Sequence, residues 1–154
     1  MIYPTTDVVL ASIIDAVETD IAPHVHDEYA ASVCKTVAQM LRSVRVRASE
    51  EIPALHAGND ELRRILATAL DRSDQPADVR ASLTAALDQT PAPRHPDLAE
   101  LQGDAIRLRA ALTAVIDAIP DESHPTRQAA REYVRHQLER EQRWQQDAFT
   151  GPRR

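Results

Sequence analysis

The chain has 154 residues, a formal net charge of −6 and 43% hydrophobic residues, of which few are aromatic. This length suits one compact domain with an aliphatic core that needs neither disulfides nor a structural metal. Three glycines against ten prolines argue against a turn-rich β protein and favour helices with sharp ends.

Prolines divide the chain into blocks, each with the three-four spacing of apolar residues that is typical of an amphipathic helix. The first predicted helix covers residues 6–21. The second covers residues 27–51 and ends before Pro53, because proline is disfavoured inside a helix. A third is predicted to begin at Asn59, a residue type that caps helix N-termini well.

Three further helices are predicted in the second half of the chain. A short one covers residues 79–87, and a longer one runs over residues 98–119 until Pro120 stops it. The last covers residues 123–149, with Pro125 in its first turn. The chain is therefore predicted to be all-α, an irregular antiparallel bundle of five to six helices.

Residues 1–150 are expected to form a single helical domain, with residues 151–154 as a frayed tail. The N-terminus lacks the basic and apolar regions of a signal peptide, and no run approaches the ~18 apolar residues of a membrane span. The single cysteine cannot form an internal disulfide. We expect a cytoplasmic protein that does not enter a membrane.

The second predicted helix carries both a basic edge and an apolar stripe. Residues 29–49 contain no acid. At 100° per residue Lys35, Arg42 and Arg45 fall along one edge, whereas Arg47 points to the opposite flank. Glutamate at position 51, four residues on, is placed to pair with Arg47. The stripe consists of Val33, Val37, Met40, Leu41 and Val44.

Two interpretations of the basic edge stay open. The first 28 residues hold six acids and no Lys or Arg, so a hairpin of the first two helices would pair the cations internally. In that hairpin each cation comes level with an acid of the first helix, Lys35 with Asp15 or Glu18, and Arg42 or Arg45 with Asp7. Alternatively, the three cations bind an anion, either a phosphorylated ligand or an acidic partner. The acidic neighbour argues against nucleic acid.

Motifs for known catalytic chemistry are missing from the sequence. The histidines do not form a Glu-x-x-His or His-Glu-x-x-His pattern, and the glycines at positions 58, 103 and 151 make no phosphate-binding loop. The cluster from His24 to Glu28 fits a polar helix start better than a metal site. We therefore predict no catalytic residue, metal or cofactor. Trp144 and Phe149 are candidate anchors for a protein partner.

Residues 5–14, 21–23, 36–48, 53–55 and 59–63 resemble a family of small helical bacterial proteins of unknown function. The resemblance covers roughly residues 4–70. Genes of that family lie near aminoglycoside-phosphotransferase-like kinases and acyl-CoA dehydrogenases. The resemblance implies an accessory role beside such an enzyme, and it supplies no active site.

Two functional hypotheses follow. The first is a non-enzymatic helical accessory or interaction protein that binds a metabolic enzyme or a second copy of itself, through the end that carries Trp144 or through the basic edge. The second is a ligand-binding or catalytic bundle, in which Arg42 and Arg45 hold an acyl or phosphorylated small molecule.

Overall fold

The computed structural model describes residues 4–72, 76–88 and 96–148. Within these ranges it contains five α-helices and no strand, which confirms the all-α prediction. In the same part of the chain, no helix combines the length and the apolar character needed to cross a membrane. The helices are α1 (Thr6–Asp15), α2 (Glu28–Leu70), α3 (Ala77–Leu87), α4 (Leu98–Ala118) and α5 (Pro125–Ala148).

The chain divides into two compact units. Unit 1 comprises Met1–Glu51 and Arg140–Arg154, and unit 2 comprises Ile52–Glu139. The predicted single domain over residues 1–150 stays a prediction, and the predicted frayed tail lies outside the described residues.

Local capping explains where the first two helices begin. The Thr5 hydroxyl accepts a hydrogen bond from the Val8 backbone N–H at 3.3 Å, which satisfies one of the free donors at the start of α1. After α1 the chain continues as a π-helical segment, Ala16–Ile21, and a short 3₁₀ turn, Ala22–His24. The Asp27 carboxylate then accepts from the backbone of the third residue of α2 at 2.8 Å.

Helix α2 does not stop at Pro53, which corrects the prediction of two separate helices. It runs unbroken to Leu70, with the proline inside it. A proline in a helix interior costs about 3 kcal/mol because it removes a hydrogen bond and crowds the preceding turn. Asn59 is not an N-cap but a buried residue within α2, and its Nδ2 donates to the Leu101 carbonyl oxygen at 3.0 Å. Such contacts offset the cost of the proline.

Unit 2 holds the main hydrophobic core, to which α2, α3, α4 and α5 all contribute. Its largest fully buried side chains are aliphatic, namely Leu62, Leu66, Leu83, Leu101, Leu108 and Val115. Tyr133 is the aromatic residue of the cluster, and its hydroxyl accepts a hydrogen bond from Arg109 Nε at 3.0 Å. The low aromatic content of the sequence thus corresponds to a core built of leucine, valine and alanine.

A buried carboxylate links helices α2 and α4 in unit 2. Asp104 Oδ2 accepts from Arg63 Nη2 at 2.9 Å, and Asp104 Oδ1 accepts from Arg107 Nη2 at 2.7 Å. The Asp104 side chain is only 10% exposed. A buried carboxylate is tolerated when it is paired in this way.

Candidate interaction surface on helix α2

In unit 1, helix α2 forms one ion pair with α1 and one with the π-helical segment that follows α1. Arg42 Nη2 lies 2.5 Å from Glu18 Oε2, in the π-helical segment after α1. Arg45 contacts both carboxylate oxygens of Asp7, with Nε at 2.5 Å and Nη2 at 3.0 Å. The hairpin prediction is confirmed for Arg45 and Asp7. Two of the three cations of the predicted basic edge are therefore paired inside the chain.

Lys35, the third cation of that edge, is exposed, and it has no ion pair or side-chain hydrogen bond with any residue that the structure describes. It does not line the cleft between α1 and α2. That Lys35, Arg42 and Arg45 together bind an anion stays a prediction. To do so, Arg42 and Arg45 would first have to release the carboxylates of Glu18 and Asp7.

The cleft between α1 and α2 has a volume of about 530 Å³. Its charged lining residues are four acids and two arginines, namely Asp7, Asp15, Glu18, Glu50, Arg42 and Arg45. The acids exceed the arginines by two, so the local charge disfavours an anionic ligand.

Trp144, predicted as a partner anchor, is engaged within unit 1. The Arg47 guanidinium lies 5.8 Å from the centre of the Trp144 ring, a distance at which a cation is attracted to the ring face. Arg47 also forms the predicted pair with Glu51, with Nη2 2.7 Å from Oε1. The half-buried Trp144 ring thus has a contact of its own. Phe149, the second predicted anchor, lies outside the described residues.

The side of α2 that faces away from α1 carries a continuous set of exposed apolar side chains, which we call the α2 apolar face. Its members, with their exposed fractions, are Tyr29 (79%), Val33 (41%), Val37 (39%), Met40 (64%) and Val44 (52%). Their spacing of four, four, three and four residues places them within about 80° of arc on the helix. In contrast, Ala38 is fully buried, on the side that faces α1.

The borders of the α2 apolar face carry no charge. One border consists of Ser32, Thr36 and Ser43, and the other includes the half-buried Cys34 and Leu41. The cations at positions 35, 42 and 45 lie on the far side of the helix at 100° per residue. Beyond Val44, Arg47 falls on the same side of the helix at 100° per residue, where it is paired with Glu51. A partner that covered the face from Tyr29 to Val44 would therefore bury no unpaired charge of α2.

Unit 1 exposes more large apolar side chains than it buries. Among its described residues the buried apolar side chains are Ile14 and Ala38. In α1, Val9 and Ile13 are 40% and 43% exposed, in addition to the α2 apolar face. Contiguous exposed apolar surface of this kind marks interaction sites in folded proteins.

Unit 2 contains a second groove, of about 430 Å³, between α2 and α5. Ile65, Thr68 and Ala129 line it, with charged residues around them. Beside it, His136 Nδ1 lies 2.7 Å from Glu61 Oε1, a contact between residues 75 positions apart. No local sequence signal predicts that pair. Within the described residues, no three or more His, Cys, Asp or Glu side chains are grouped to hold a metal ion.

Comparison of the chain with protein-family models, curated proteins and solved structures finds no match.

Sequence reasoning identified four members of the α2 apolar face, Val33, Val37, Met40 and Val44, as an apolar stripe. It missed Tyr29, although the step of four residues before Val33 is a usable signal. What the spacing does not predict is that the stripe is exposed, since that depends on which side of α2 the first helix covers.

Proposed function

We propose that this chain is a non-enzymatic helical accessory protein that acts by binding another protein chain through the α2 apolar face. The observation that carries the proposal is the exposure of five apolar side chains along one side of α2, from Tyr29 to Val44. Anchors at three-four spacing on one helix side are a recurring mode of helix recognition.

The size of the α2 apolar face supports this proposal. Its five side chains expose on the order of 500 Å² between them, so a partner that covers them buries about 1,000 Å² in total, near the lower limit for specific interfaces. Part of the free energy gained by burying this apolar area offsets the entropy cost of association. We therefore expect a moderate affinity rather than a very tight one.

The competing hypothesis is a small-molecule site built on Arg42 and Arg45. Such a ligand would have to displace Glu18 and Asp7 from the two arginines, because both guanidinium groups already contact carboxylates at 2.5 Å. It would also enter a cleft in which acids exceed arginines. These contacts make the interaction hypothesis the better supported of the two.

The partners to test are a second copy of the chain, an aminoglycoside-phosphotransferase-like kinase and an acyl-CoA dehydrogenase. The two enzyme classes are suggested only by the family resemblance of residues 4–70. Any of the three would make this chain an accessory component rather than a catalyst.

Sedimentation velocity of the purified chain, alone and mixed with each enzyme, tests the proposal. The double variant Val37→Glu with Met40→Glu places two charges on the α2 apolar face. The matched control, Lys35→Glu, changes the net charge by the same two units at an exposed position on the far side of the same helix. We expect complexes for the wild-type chain and for the control, and none for the first variant. If all three proteins sediment identically in every mixture, the proposal is wrong.

A further inference from the structure

We infer that the partner of the α2 apolar face is the same face of a second copy of this chain, with the two α2 helices antiparallel. This inference rests on the proposed function, because it names the partner of the same surface. Three properties of the face support it, namely its spacing, the charges at its two ends and its lack of internal charge.

The spacing of the face is nearly the same when it is read in either direction. Placing a two-fold axis beside Val37 sets Tyr29 opposite Val44 of the second copy, and Val33 opposite Met40 of the second copy. In a two-fold interface each such contact occurs twice, because residue i meets j and j meets i. Each pair joins a long side chain to a short valine, which favours close packing of two helices.

Charges at the two ends of the face favour the antiparallel direction. Asp27 and Glu28 stand at its N-terminal end, whereas the cations at its C-terminal end, Arg45 and Arg47, are already paired with Asp7 and Glu51. A parallel pair would bring the acidic N-terminal ends of the two copies together. An antiparallel pair keeps these acids apart, and it also opposes the two helix dipoles.

The face itself sets no electrostatic obstacle to self-association. Two copies that each carry a net charge of −6 repel one another in general. Here the contact surface holds no acid, and the hydroxyl groups of Ser32, Thr36 and Ser43 border it. The buried area of about 1,000 Å² is near the lower limit for a specific dimer, so we expect the monomer and the dimer to exchange in solution.

Cysteine cross-linking in the full chain tests the pairing and its direction. All variants carry Cys34→Ala, because the natural thiol lies at the border of the face. Chains with Val33→Cys are mixed with chains with Met40→Cys under mild oxidation. A disulfide needs Cα atoms about 4.4–6.8 Å apart, so cross-linking reports register. The matched control mixes Lys35→Cys with Gln39→Cys, two exposed positions of the same helix outside the face and its borders.

Antiparallel pairing predicts that the mixed 33–40 disulfide exceeds either like-with-like product about 10-fold or more, with no product above background in the control mixture. Predominant 33–33 and 40–40 products would overturn the antiparallel arrangement. In sedimentation, Val37→Glu with Met40→Glu is expected to raise the dimer dissociation constant about 100-fold or more.

The same sedimentation experiments distinguish self-association through the α2 apolar face from binding of a different protein through that face. If the wild-type chain is monomeric at every concentration but binds one of the two enzymes, and Val37→Glu with Met40→Glu abolishes that binding, the second copy is the wrong partner and the proposed function stands. If the wild-type chain binds neither itself nor either enzyme, both are wrong.

Discussion

Arg45 in α2 contacts both carboxylate oxygens of Asp7 in α1, with Nε 2.5 Å from Oδ1 and Nη2 3.0 Å from Oδ2. Together with the pair between Arg42 and Glu18, this contact turns the basic side of α2 toward α1. The apolar side of α2 consequently points away from α1. The two ion pairs thus identify the side of α2 that faces α1, and the apolar side is the one that remains open to a partner.

The first prediction concerns the titration of Asp7. The hydrogen bonds from Arg45, with a smaller contribution from its charge, hold the pKa of the Asp7 carboxyl below its ordinary value. Arg45→Gln should therefore raise the pKa of Asp7 toward the ordinary value, as followed by NMR of the carboxyl carbon. Lys35→Gln is the matched control and should leave that titration unchanged. An Asp7 pKa that is the same in Arg45→Gln and in the wild-type chain would contradict the pairing.

The sign of the pH dependence follows from that shift. Because the folded pKa of Asp7 is lowered, the ion pair contributes to stability above the unfolded-state pKa, and the contribution is lost as the pH falls through the folded value. Both partners are exposed, so we expect only a small change in the total free energy of unfolding. The NMR titration is therefore the better measurement.

The second prediction concerns the buried carboxylate of unit 2. Burial acts to raise the pKa of Asp104, but the hydrogen bonds from Arg63 and Arg107 outweigh it and hold the pKa below the ordinary value. Asp104→Ala removes both bonds and leaves two partly buried guanidinium groups, so it should lower the free energy of unfolding by about 2–3 kcal/mol at pH 7. Urea denaturation measures this loss.

The control for Asp104 is Asp117→Ala, which removes an exposed acid from the same helix and should change stability little. Since the pKa of Asp104 is lowered, its stabilising contribution is present above about pH 4 and lost as the pH falls further. The difference between the wild-type chain and Asp104→Ala should therefore shrink in acid. A difference that is independent of pH, or equal losses in both variants, would contradict this account.

The third prediction is a stabilising substitution in helix α4. Gly103 lies in the interior of that helix, and a β-carbon added there meets no atom within 4 Å. Alanine loses less conformational entropy than glycine when a helix forms, so Gly103→Ala should raise the free energy of unfolding by about 0.5–1 kcal/mol. Thermal denaturation followed by circular dichroism measures the gain. A lower melting temperature would show that the added methyl group clashes with a neighbouring atom, which would contradict this prediction.

Helix boundaries set by local chemistry were predictable from the sequence. The helix that ends before Pro120 and the helix with Pro125 in its first turn both occur, because proline geometry restricts the chain in any context. The continuation of α2 through Pro53 was not predictable, since the contacts that favour it come from distant residues. The hydrogen bond from Asn59 to Leu101 spans 42 positions.

The candidate site was only partly predictable for the same reason. Periodicity identified the apolar side of α2, because that information is local. Whether the first helix would cover that side or the basic side depended on cross-helix pairs such as that of Arg42 and Glu18, whose residues are 24 positions apart. The open state of the apolar face is therefore a property of the tertiary structure.

The central claim is that another protein chain covers the α2 apolar face, and Met40 reports on it most directly. Its side chain is 64% exposed and lies in the middle of that face, so peroxide should oxidise it readily in the isolated chain. Mass spectrometry can follow its oxidation across protein concentrations and with each candidate enzyme, with free methionine as the dose control. We predict that association slows Met40 oxidation several-fold. An unchanged rate at every concentration and with either enzyme would contradict the claim.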